Sequence, residues 1–177
     1  MIETLRCYIR PVTPGDASFI LELLTSALWK RFIGDRGIST VAEAKAIIEK
    51  TYLPALERPG FGPHVVILKE THTCIGTVGI YQRDNLEQPD LGFAFLPNYL
   101  HQGFGYESAT AHLAKVHSLL HLPKIYAITN DDNLAAQGLL LKMNFTRTAA
   151  YQPLDSEGKA DLDAVPMGLY TLNFQEN

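Results

Sequence analysis

Two glycines flank one aromatic residue where the sequence changes from an extended pattern to a helical one. Gly103-Phe104-Gly105 follows the turn signal Pro97-Asn98 and precedes apolar residues at helical spacing. The first amides of a helix have no acceptors inside it and carry a partial positive charge. A glycine lets an anion approach such amides without a Cβ in the way. The stretch therefore predicts either a plain turn or a phosphate site, but neither a dinucleotide fingerprint nor a Walker loop.

Few side chains have the spacing of a covalent or metal-dependent site. Cys7 and Cys74 lie far apart, which indicates reduced thiols in a cytosolic protein and no metal site. Cys74 has no histidine within sequence reach to activate it, so a covalent acyl intermediate is not favoured. His101 carries an imidazole, the side chain most often used as a general acid or base. Its place just before the glycines favours an exposed loop residue.

Composition narrows the class of protein further. The 177 residues are 46% hydrophobic and 19% charged, with a formal net charge of −4. This balance predicts one globular domain over residues 1–177 and argues against nucleic acid or an anionic membrane as partner. No apolar run has the length of a signal-peptide core or a membrane span, so we expect a cytoplasmic protein.

The sequence predicts the order β-α-α-β-β-β-α-β-α-β-β for the strands and helices that position the glycines. A strand over residues 5–10 precedes a helix that Thr13 caps, with Asp16 acting back on the cap and apolar spacing continuing to Leu28. Thr40 caps a second helix, which ends at Pro54 or at Pro59-Gly60. The later strands are predicted at residues 64–69, 74–81, 90–96, 124–129, 145–151 and 166–174, the last two joined by a polar loop over residues 154–164.

Two helices complete this pattern. One follows the glycines. The other is capped by Asp132 or Asn133, and Asn144 occupies the left-handed position expected at its end.

Three stretches in the correct order resemble the GNAT acetyltransferases, and the RimJ/RimL-like branch most closely. The resemblance runs from about Leu5 to Tyr151. The matching motifs are Leu5-Arg6…Ile9-Arg10-Pro11…Asp16-Ala17, Leu100-His101-Gln102-Gly103-Phe104-Gly105 within the segment that begins at Asp90, and Asn133-Leu-Ala-Ala-Gln-Gly-Leu-Leu-Leu-Lys-Met-Asn-Phe145.

The resemblance implies an α/β fold with a mixed, largely antiparallel sheet, a splayed central strand pair and helices on both faces. It implies acetyl-CoA as co-substrate and no metal. Pantetheine would pair with backbone groups near Phe95 and Leu96, and Asn133 would contact the pantetheine or the leaving sulfur in addition to capping its helix. The backbone amides that would hold the pyrophosphate are those of Gln102, Gly103, Phe104, Gly105 and Tyr106.

Asp90 matches the position at which several relatives keep a glutamate base. A base must take a proton from an ammonium acceptor before its nitrogen can attack a thioester. The alternative is a strand-end carboxylate paired with an arginine. Two departures from the family pattern matter: Leu100 loses a side-chain contact, and Leu140 replaces the tyrosine that protonates the leaving thiolate in many relatives. Lys142 is either near the adenosine phosphates or a solvated helix lysine.

The sequence is less informative about the acceptor amine than about acetyl-CoA. Trp29, Arg31, Phe32 and Arg36 lie between the two early helices, where the resemblance implies an acceptor pocket, and the alternative is aromatic core packing with solvated arginines. The acceptor would be a primary amine, on a peptide or on a small molecule, and a homodimer is one candidate assembly. A catalytically weak CoA-binding sensor or interaction module and a nucleotide-dependent transferase are the alternative functions.

Overall fold

Thr13 and Asp16 build the turn that precedes the first long helix. In this computed structural model, which describes residues 1–155 and 157–174, the Thr13 backbone N–H donates to the Asp16 carboxylate at 2.8 Å. This confirms the predicted capping interaction. Asp16 also accepts two hydrogen bonds of 2.7 Å from the Arg10 guanidinium. Because Asp16 is buried, this pairing offsets the cost of removing its charge from water.

The first helical region is broken in two, contrary to the continuous helix predicted through Leu28. α1 spans Ala17–Thr25 and α2 spans Ala27–Phe32. Ser26 between them is extended, with ψ 146, and its hydroxyl accepts a hydrogen bond from the Trp29 N–H at 3.3 Å. A serine that caps the next helix competes with continuation of the previous one.

The second helical region continues past Pro54. Thr40 and Glu43 form the predicted capping box at the start of α3, Val41–Ile47. A π-helical turn, Ile48–Tyr52, then leads into α4, Leu53–Leu56. Pro54 lies in the first turn of α4, where its missing N–H costs little. The prediction that Pro54 could end the helix is therefore wrong, and the chain leaves the helix shortly before Pro59.

Eight strands form a single sheet in the order β1-β2-β3-β4-β5-β6-β8-β7. The β1–β2, β2–β3, β3–β4, β6–β8 and β7–β8 pairs are antiparallel, and β5–β6 is parallel, with Asp90 opposite Tyr126 as its one aligned pair. β1 was not predicted. The strands are β1 Ile2–Glu3, β2 Cys7–Pro11, β3 Gly62–Leu68, β4 Cys74–Tyr81, β5 Asp90–Phe95, β6 Lys124–Thr129, β7 Thr146–Tyr151 and β8 Met167–Asn173.

Two helices follow the central strands. α5, Phe104–Leu120, begins inside the glycine stretch, and α6, Leu134–Lys142, begins after the predicted cap Asn133. Asn144 has φ +65, which confirms its predicted left-handed conformation. The polar loop predicted over residues 154–164 includes one residue outside the described ones, and Leu154 forms an isolated antiparallel bridge with Ala160.

The chain divides into two compact units, one of residues 1–80 and 93–120 and the other of residues 81–92 and the chain from His121 onward. The first unit has helices on both faces of its strands. Val65 of β3 lies in the core cluster formed with α1 and α3, while its neighbour His64 contacts His112 of α5. Successive strand residues point to opposite faces, so the mixed α/β prediction is confirmed. The second unit holds β6, β7, β8 and α6. One domain over residues 1–177 stays a prediction.

Among the described helices, none combines the length and apolar character needed to cross a bilayer.

A buried histidine, His112, packs against the half-buried His64 inside the first unit. His112 is 1% exposed, and neither of its ring nitrogens has a hydrogen-bond partner within the described residues. The rings of His64 and His112 are 4.5 Å apart, and His64 Nδ1 lies 3.1 Å from the Gly62 carbonyl oxygen. Burial, and secondarily His64, lowers the pKa of His112 to about 3. His112 is therefore neutral in the folded protein at physiological pH.

This burial predicts acid sensitivity. The unfolded chain binds a proton at His112 below its ordinary pKa of 6.5, while the folded chain does not until about pH 3. The stability present above pH 6.5 is therefore lost as the pH falls, by about 1.4 kcal/mol per pH unit from this residue. Urea unfolding between pH 7 and pH 5 should show this slope in the parent and in an exposed-histidine control, His72→Asn. His112→Leu should flatten it, and an equal slope in His112→Leu would contradict the assignment.

Candidate functional site

The glycine stretch lies at the start of a long helix, as predicted. A short 3-10 turn, Pro97–Tyr99, leads from β5 toward α5, whose 17 residues begin at Phe104. His101 and Gly103 both have left-handed backbones, with φ +57 and +83. The Glu107 backbone N–H donates to the Gly103 carbonyl at 3.0 Å, which is a helical hydrogen bond. The structure thus collects residues 102–106 at the start of α5, the part of a helix whose first amides in general lack acceptors within it.

The side chains of this turn serve mainly to anchor it. Phe104 is 5% exposed, and its ring meets Tyr99 edge-on with centroids 6.3 Å apart. The Gln102 side-chain amide donates to the Asn98 carbonyl at 2.7 Å. The Arg6 guanidinium stacks on the Phe104 ring, 4.2 Å from its centroid. An anion at this turn would therefore be held by backbone groups, which is the use that the sequence predicted.

Phe95 and Leu96 differ in what their backbones offer a ligand. The Leu96 N–H donates to the Ile75 carbonyl at 2.9 Å, and the Leu96 carbonyl accepts from Tyr99 at 3.0 Å. Both Leu96 groups are therefore engaged inside the first unit. Successive residues of an extended strand direct their backbone groups to opposite edges. The N–H and C=O of Phe95 thus point away from β4, so Phe95 is the better candidate for pairing with an extended ligand.

Gly76 allows β5 to lie close against β4. A Cβ on Gly76 would lie 2.3 Å from Cδ1 of Phe95 and 2.6 Å from the carbonyl oxygen of Ala94. Contacts this short cannot be relieved by a side-chain rotation alone, because one partner is backbone. The position of Phe95 therefore depends on the absence of a side chain at Gly76.

Asp90, in the second unit, is a buried and paired carboxylate. Its side chain is 3% exposed and accepts from Arg83 Nε at 2.9 Å and from a second guanidinium nitrogen at 3.3 Å. Burial raises the pKa of Asp90, and Arg83 only partly opposes that shift. Arg83 in turn lies over the Tyr151 ring, whose hydroxyl donates to Asn85 at 3.0 Å. The structure shows the pairing alternative, and the role of Asp90 as a base stays a prediction.

Asn133, also in the second unit, caps α6. Its side-chain oxygen accepts from the Ala136 N–H at 3.2 Å, which confirms the capping prediction. Within the described residues its side-chain amide nitrogen has no acceptor, so that donor remains available to a ligand. Leu140, at the position of the family tyrosine, is 1% exposed and serves as a core residue.

Three of the four residues predicted at an acceptor pocket, Trp29, Arg31 and Phe32, lie in α2 and not in a loop between helices, because Ser26 starts a helix before them. Arg36 follows α2 and is exposed. Trp29 packs against the core cluster, and its Nε1 is buried without a partner in the described part of the chain. Arg31 is exposed, with its guanidinium 4.8 Å from the Phe32 ring centroid. Trp29 thus follows the core-packing alternative, whereas Arg31 is exposed and Phe32 is half-buried.

The surroundings of the Cys74 thiol do not activate it as a nucleophile. Burial, and secondarily Asp16, raises the pKa of the Cys74 thiol, so the thiolate needed for nucleophilic attack is disfavoured. Over residues 1–155 and 157–174, no three histidine, cysteine, aspartate or glutamate side chains are grouped as metal ligands.

Two ion pairs were not predicted from the sequence, Arg6–Glu107 and Arg10–Asp16. Pairing of Asp90 with an arginine was one of the two predicted alternatives, and the partner is Arg83. The signal for the Arg10–Asp16 pair was present, since the two residues lie six positions apart. The Arg6–Glu107 pair joins residues 101 positions apart and has no local signature.

Comparison with known proteins decides the family. The Acetyltransferase (GNAT) domain matches residues 6–146. The chain belongs to the GNAT acetyltransferase family. A curated relative of this GNAT protein is the uncharacterized N-acetyltransferase YoaA of Bacillus subtilis strain 168, which is 26% identical over 148 residues, or 83% of each chain.

Solved structures share the fold of this GNAT protein at low identity. Spermidine N-acetyltransferase from Vibrio cholerae, in complex with CoA and spermine, superposes with a TM-score of 0.73 at 16% identity and 95% coverage of each chain. Ribosomal-protein-S5-alanine acetyltransferase from Vibrio fischeri gives 0.73 at 16% identity, covering 97% of this chain and 94% of its own. The predicted GNAT fold is thereby confirmed, and fold neighbours include the ribosomal-protein acetylases that a RimJ/RimL-like resemblance predicts.

The buried Asp90–Arg83 pair predicts a stability effect. Asp90→Asn should lower the free energy of unfolding by about 1–3 kcal/mol, because the guanidinium loses its charge partner and the buried site keeps an imperfectly matched amide. Asp131→Asn is the matched control, since the Arg147–Asp131 pair is half exposed on both sides and should contribute less than about 1 kcal/mol. Urea denaturation of the three proteins at pH 7 compares them. Equal losses in both variants would mean that burial of Asp90 contributes nothing.

Proposed function

We propose that this protein transfers an acetyl group from acetyl-CoA to a primary amine by direct attack within a ternary complex. The observation that carries the proposal is the turn at residues 102–106, where glycine-bordered amides start a 17-residue helix in a chain of the GNAT family. These amides would hold the pyrophosphate of CoA, as helix N-termini hold phosphates elsewhere. The backbone N–H and C=O of Phe95 would pair with the amides of pantetheine, and the Asn133 amide group would donate to pantetheine or sulfur.

Acetyl transfer by direct attack needs few catalytic side chains. The neutral amine nitrogen attacks the thioester carbonyl carbon to form a tetrahedral intermediate. Collapse of this intermediate breaks the C–S bond and releases the thiolate of CoA, while the nitrogen loses one proton to water, so that the second product is a neutral amide. Holding amine and thioester together supplies much of the rate enhancement, and a backbone N–H of β5 would polarise the carbonyl. The buried Leu140 supplies no proton to the thiolate, so the thiolate would leave unprotonated or take a proton from water.

Asp90 enters this proposal as the group that takes the proton of the ammonium, directly or through a water. Its raised pKa brings the carboxyl closer to the range in which a base is effective. Loss of such a base would lower turnover by roughly 10²–10⁴-fold and remove the limb of the pH profile that rises with pH. Because Arg83 opposes the rise in the Asp90 pKa, replacing Arg83 should move that limb to higher pH.

The acceptor class stays open between a small polyamine-like amine and the N-terminal amine of a protein. The fold neighbours named above act on both kinds of acceptor. Their identity to this chain is too low to transfer either. Arg31 and Phe32 of α2 are the side chains proposed to contact the acceptor, with Trp29 supporting them from the core.

A CoA-binding module without efficient catalysis is the second candidate. Two observations favour it: Leu140 is a core residue, and the Asp90 carboxylate is already engaged by Arg83. The two candidates agree on CoA binding and differ on turnover.

Two measurements test the proposal. Isothermal titration should detect binding of CoA and acetyl-CoA, and absence of binding of both at high micromolar concentration would contradict either candidate. An acceptor screen across peptides, polyamines, amino sugars and amino acids, followed by release of free thiol from acetyl-CoA, should identify at least one amine that is acetylated. Tight CoA binding without thiol release above background on any amine would contradict the acetyltransferase proposal and support the CoA-binding module.

Gly103 provides the test of the turn itself. Its φ of +83 disfavours any β-branched residue, and an added Cβ would lie 3.3 Å from an Arg6 guanidinium nitrogen. Gly103→Val should therefore weaken CoA binding by at least tenfold, since the phosphate-facing amides are displaced. Gly158→Val is the matched control, because Gly158 also has a left-handed φ, +77, but nothing within 4 Å. If Gly103→Val binds CoA as tightly as Gly158→Val does, the turn is not part of the site.

A further inference from the structure

The carboxylate of Glu107, in the first turn of α5, accepts hydrogen bonds from the chain segment that precedes β2. Its Oε1 accepts from the Thr4 hydroxyl at 2.6 Å and from the Arg6 backbone N–H at 2.7 Å. Its Oε2 accepts from Arg6 Nε at 2.8 Å. The guanidinium of Arg6 is thereby held by a charged partner and lies over the Phe104 ring, 4.2 Å from its centroid. An arginine fixed in this way has little rotational freedom left to lose when it binds another group.

The remaining donors of Arg6 reach the glycine turn. One guanidinium nitrogen donates to the Gln102 carbonyl at 2.9 Å, and the other lies beside Gly103. Gln102 C=O and Gly103 N–H belong to the same peptide unit. In a planar trans peptide these two groups point in opposite directions. A Gln102 carbonyl directed toward Arg6 therefore directs the Gly103 N–H away from Arg6.

The peptide between Gln102 and Gly103 could adopt two orientations, and the hydrogen bond from Arg6 to the Gln102 carbonyl favours one of them. Turning this peptide over changes φ of Gly103 from positive to negative while the neighbouring residues stay in place, and glycine adopts both signs at similar cost. In the reversed orientation the carbonyl oxygen would take the place of the N–H. A carbonyl oxygen repels a phosphate, whereas an N–H binds it. The same glycine that opens the turn to an anion thus also permits an orientation that excludes the anion.

We propose that Arg6 is a positioning residue for donor binding, which selects the orientation of the Gln102–Gly103 peptide in which the Gly103 N–H faces the phosphates of CoA. This inference rests on the proposed function, because it assigns the turn to CoA. Arg6 contacts the carbonyl side of the peptide, so it acts through the peptide and not by touching the reacting atoms. Glu107 and Thr4 in turn hold Arg6.

The effect on stability should be small. The Arg6 side chain is 40% exposed, and partly exposed ion pairs contribute little to folding. The loss should instead appear in CoA affinity. A hydrogen bond from a well-oriented amide to a charged phosphate accounts for about a tenfold change in affinity or more.

The experiment compares the full-length parent with Arg6→Gln, Arg6→Lys and Arg58→Gln. Arg58 is the matched control, since its guanidinium stacks on Phe61 at 3.6 Å as that of Arg6 stacks on Phe104. Isothermal titration with CoA should give a Kd at least tenfold higher for both Arg6 variants and an unchanged Kd for Arg58→Gln. A lysine cannot hold Glu107 and the Gln102 carbonyl with one fixed fork, so Arg6→Lys should lose affinity despite keeping its charge.

A second readout follows the peptide directly. In ¹H–¹⁵N correlation spectra the Gly103 amide of the parent should shift on addition of CoA, and in Arg6→Gln this resonance should lie elsewhere before any CoA is added. Thermal unfolding of all four proteins checks that the variants are folded at the temperature used.

Each outcome bears on the proposal. An Arg6→Gln protein that melts earlier but binds CoA as the parent does would make Arg6 merely structural and overturn the inference alone. Retained affinity in Arg6→Lys with lost affinity in Arg6→Gln would show that the charge acts directly on the phosphates, which also overturns positioning through the peptide. A parent that binds no CoA would remove the proposed function and this inference together.

Discussion

The Glu107 carboxylate is the interaction on which the architecture around the glycine turn depends. It lies in the first turn of α5 and accepts from the Thr4 hydroxyl and from both the backbone and the side chain of Arg6. A negative charge in this position also complements the positive end of the helix dipole. The Glu107 side chain therefore connects residues Thr4 and Arg6 to the first turn of α5. Arg6, held by Glu107, in turn contacts the Phe104 ring and the Gln102 carbonyl, and these contacts orient the glycine turn.

Buried charge follows one rule throughout the molecule. Asp16 and Asp90 are both nearly inaccessible, and each is matched by a guanidinium that makes two hydrogen bonds to it. His112, which has no such partner, remains neutral. A buried group is thus either paired or uncharged. For Asp90 this rule is also a chemical constraint, because a carboxylate that serves as a base has to share its oxygens with Arg83.

The proposed function relies on backbone groups more than on side chains. The turn offers amides, Phe95 offers one edge of its strand, and the family tyrosine position is a buried leucine. Backbone groups are present whatever the side chains are, so their use depends on close approach and orientation. Gly76 supplies the close approach by leaving room for Phe95, and Gly103 supplies the left-handed turn. Family membership identifies an acetyltransferase, and this arrangement is the basis of our proposal that it works mainly by holding its two substrates together.

The features determined by the sequence alone are those encoded within a few residues. The capping of α3 by Thr40, the Thr13–Asp16 turn and the left-handed Asn144 were all predicted, because a cap or a turn needs only side chains three or four positions away. The helix start at the glycine turn and the order of the predicted strands and helices followed from similar local patterns, whereas β1 and the break between α1 and α2 did not. The motif order also gave the family correctly.

Only the tertiary structure decided the features that depend on distant residues or on competition between local preferences. Arg6 and Glu107 are 101 positions apart, so no local sequence pattern predicts their contact. Whether Asp90 would be free or paired depended on how the chain between residues 83 and 90 folds back. At Ser26 a cap for the next helix prevailed over continuation of the previous one, and at Pro54 a π-helical turn accommodated a residue that usually ends helices. In each case the local pattern allowed two outcomes, and the packing of surrounding residues selected one of them.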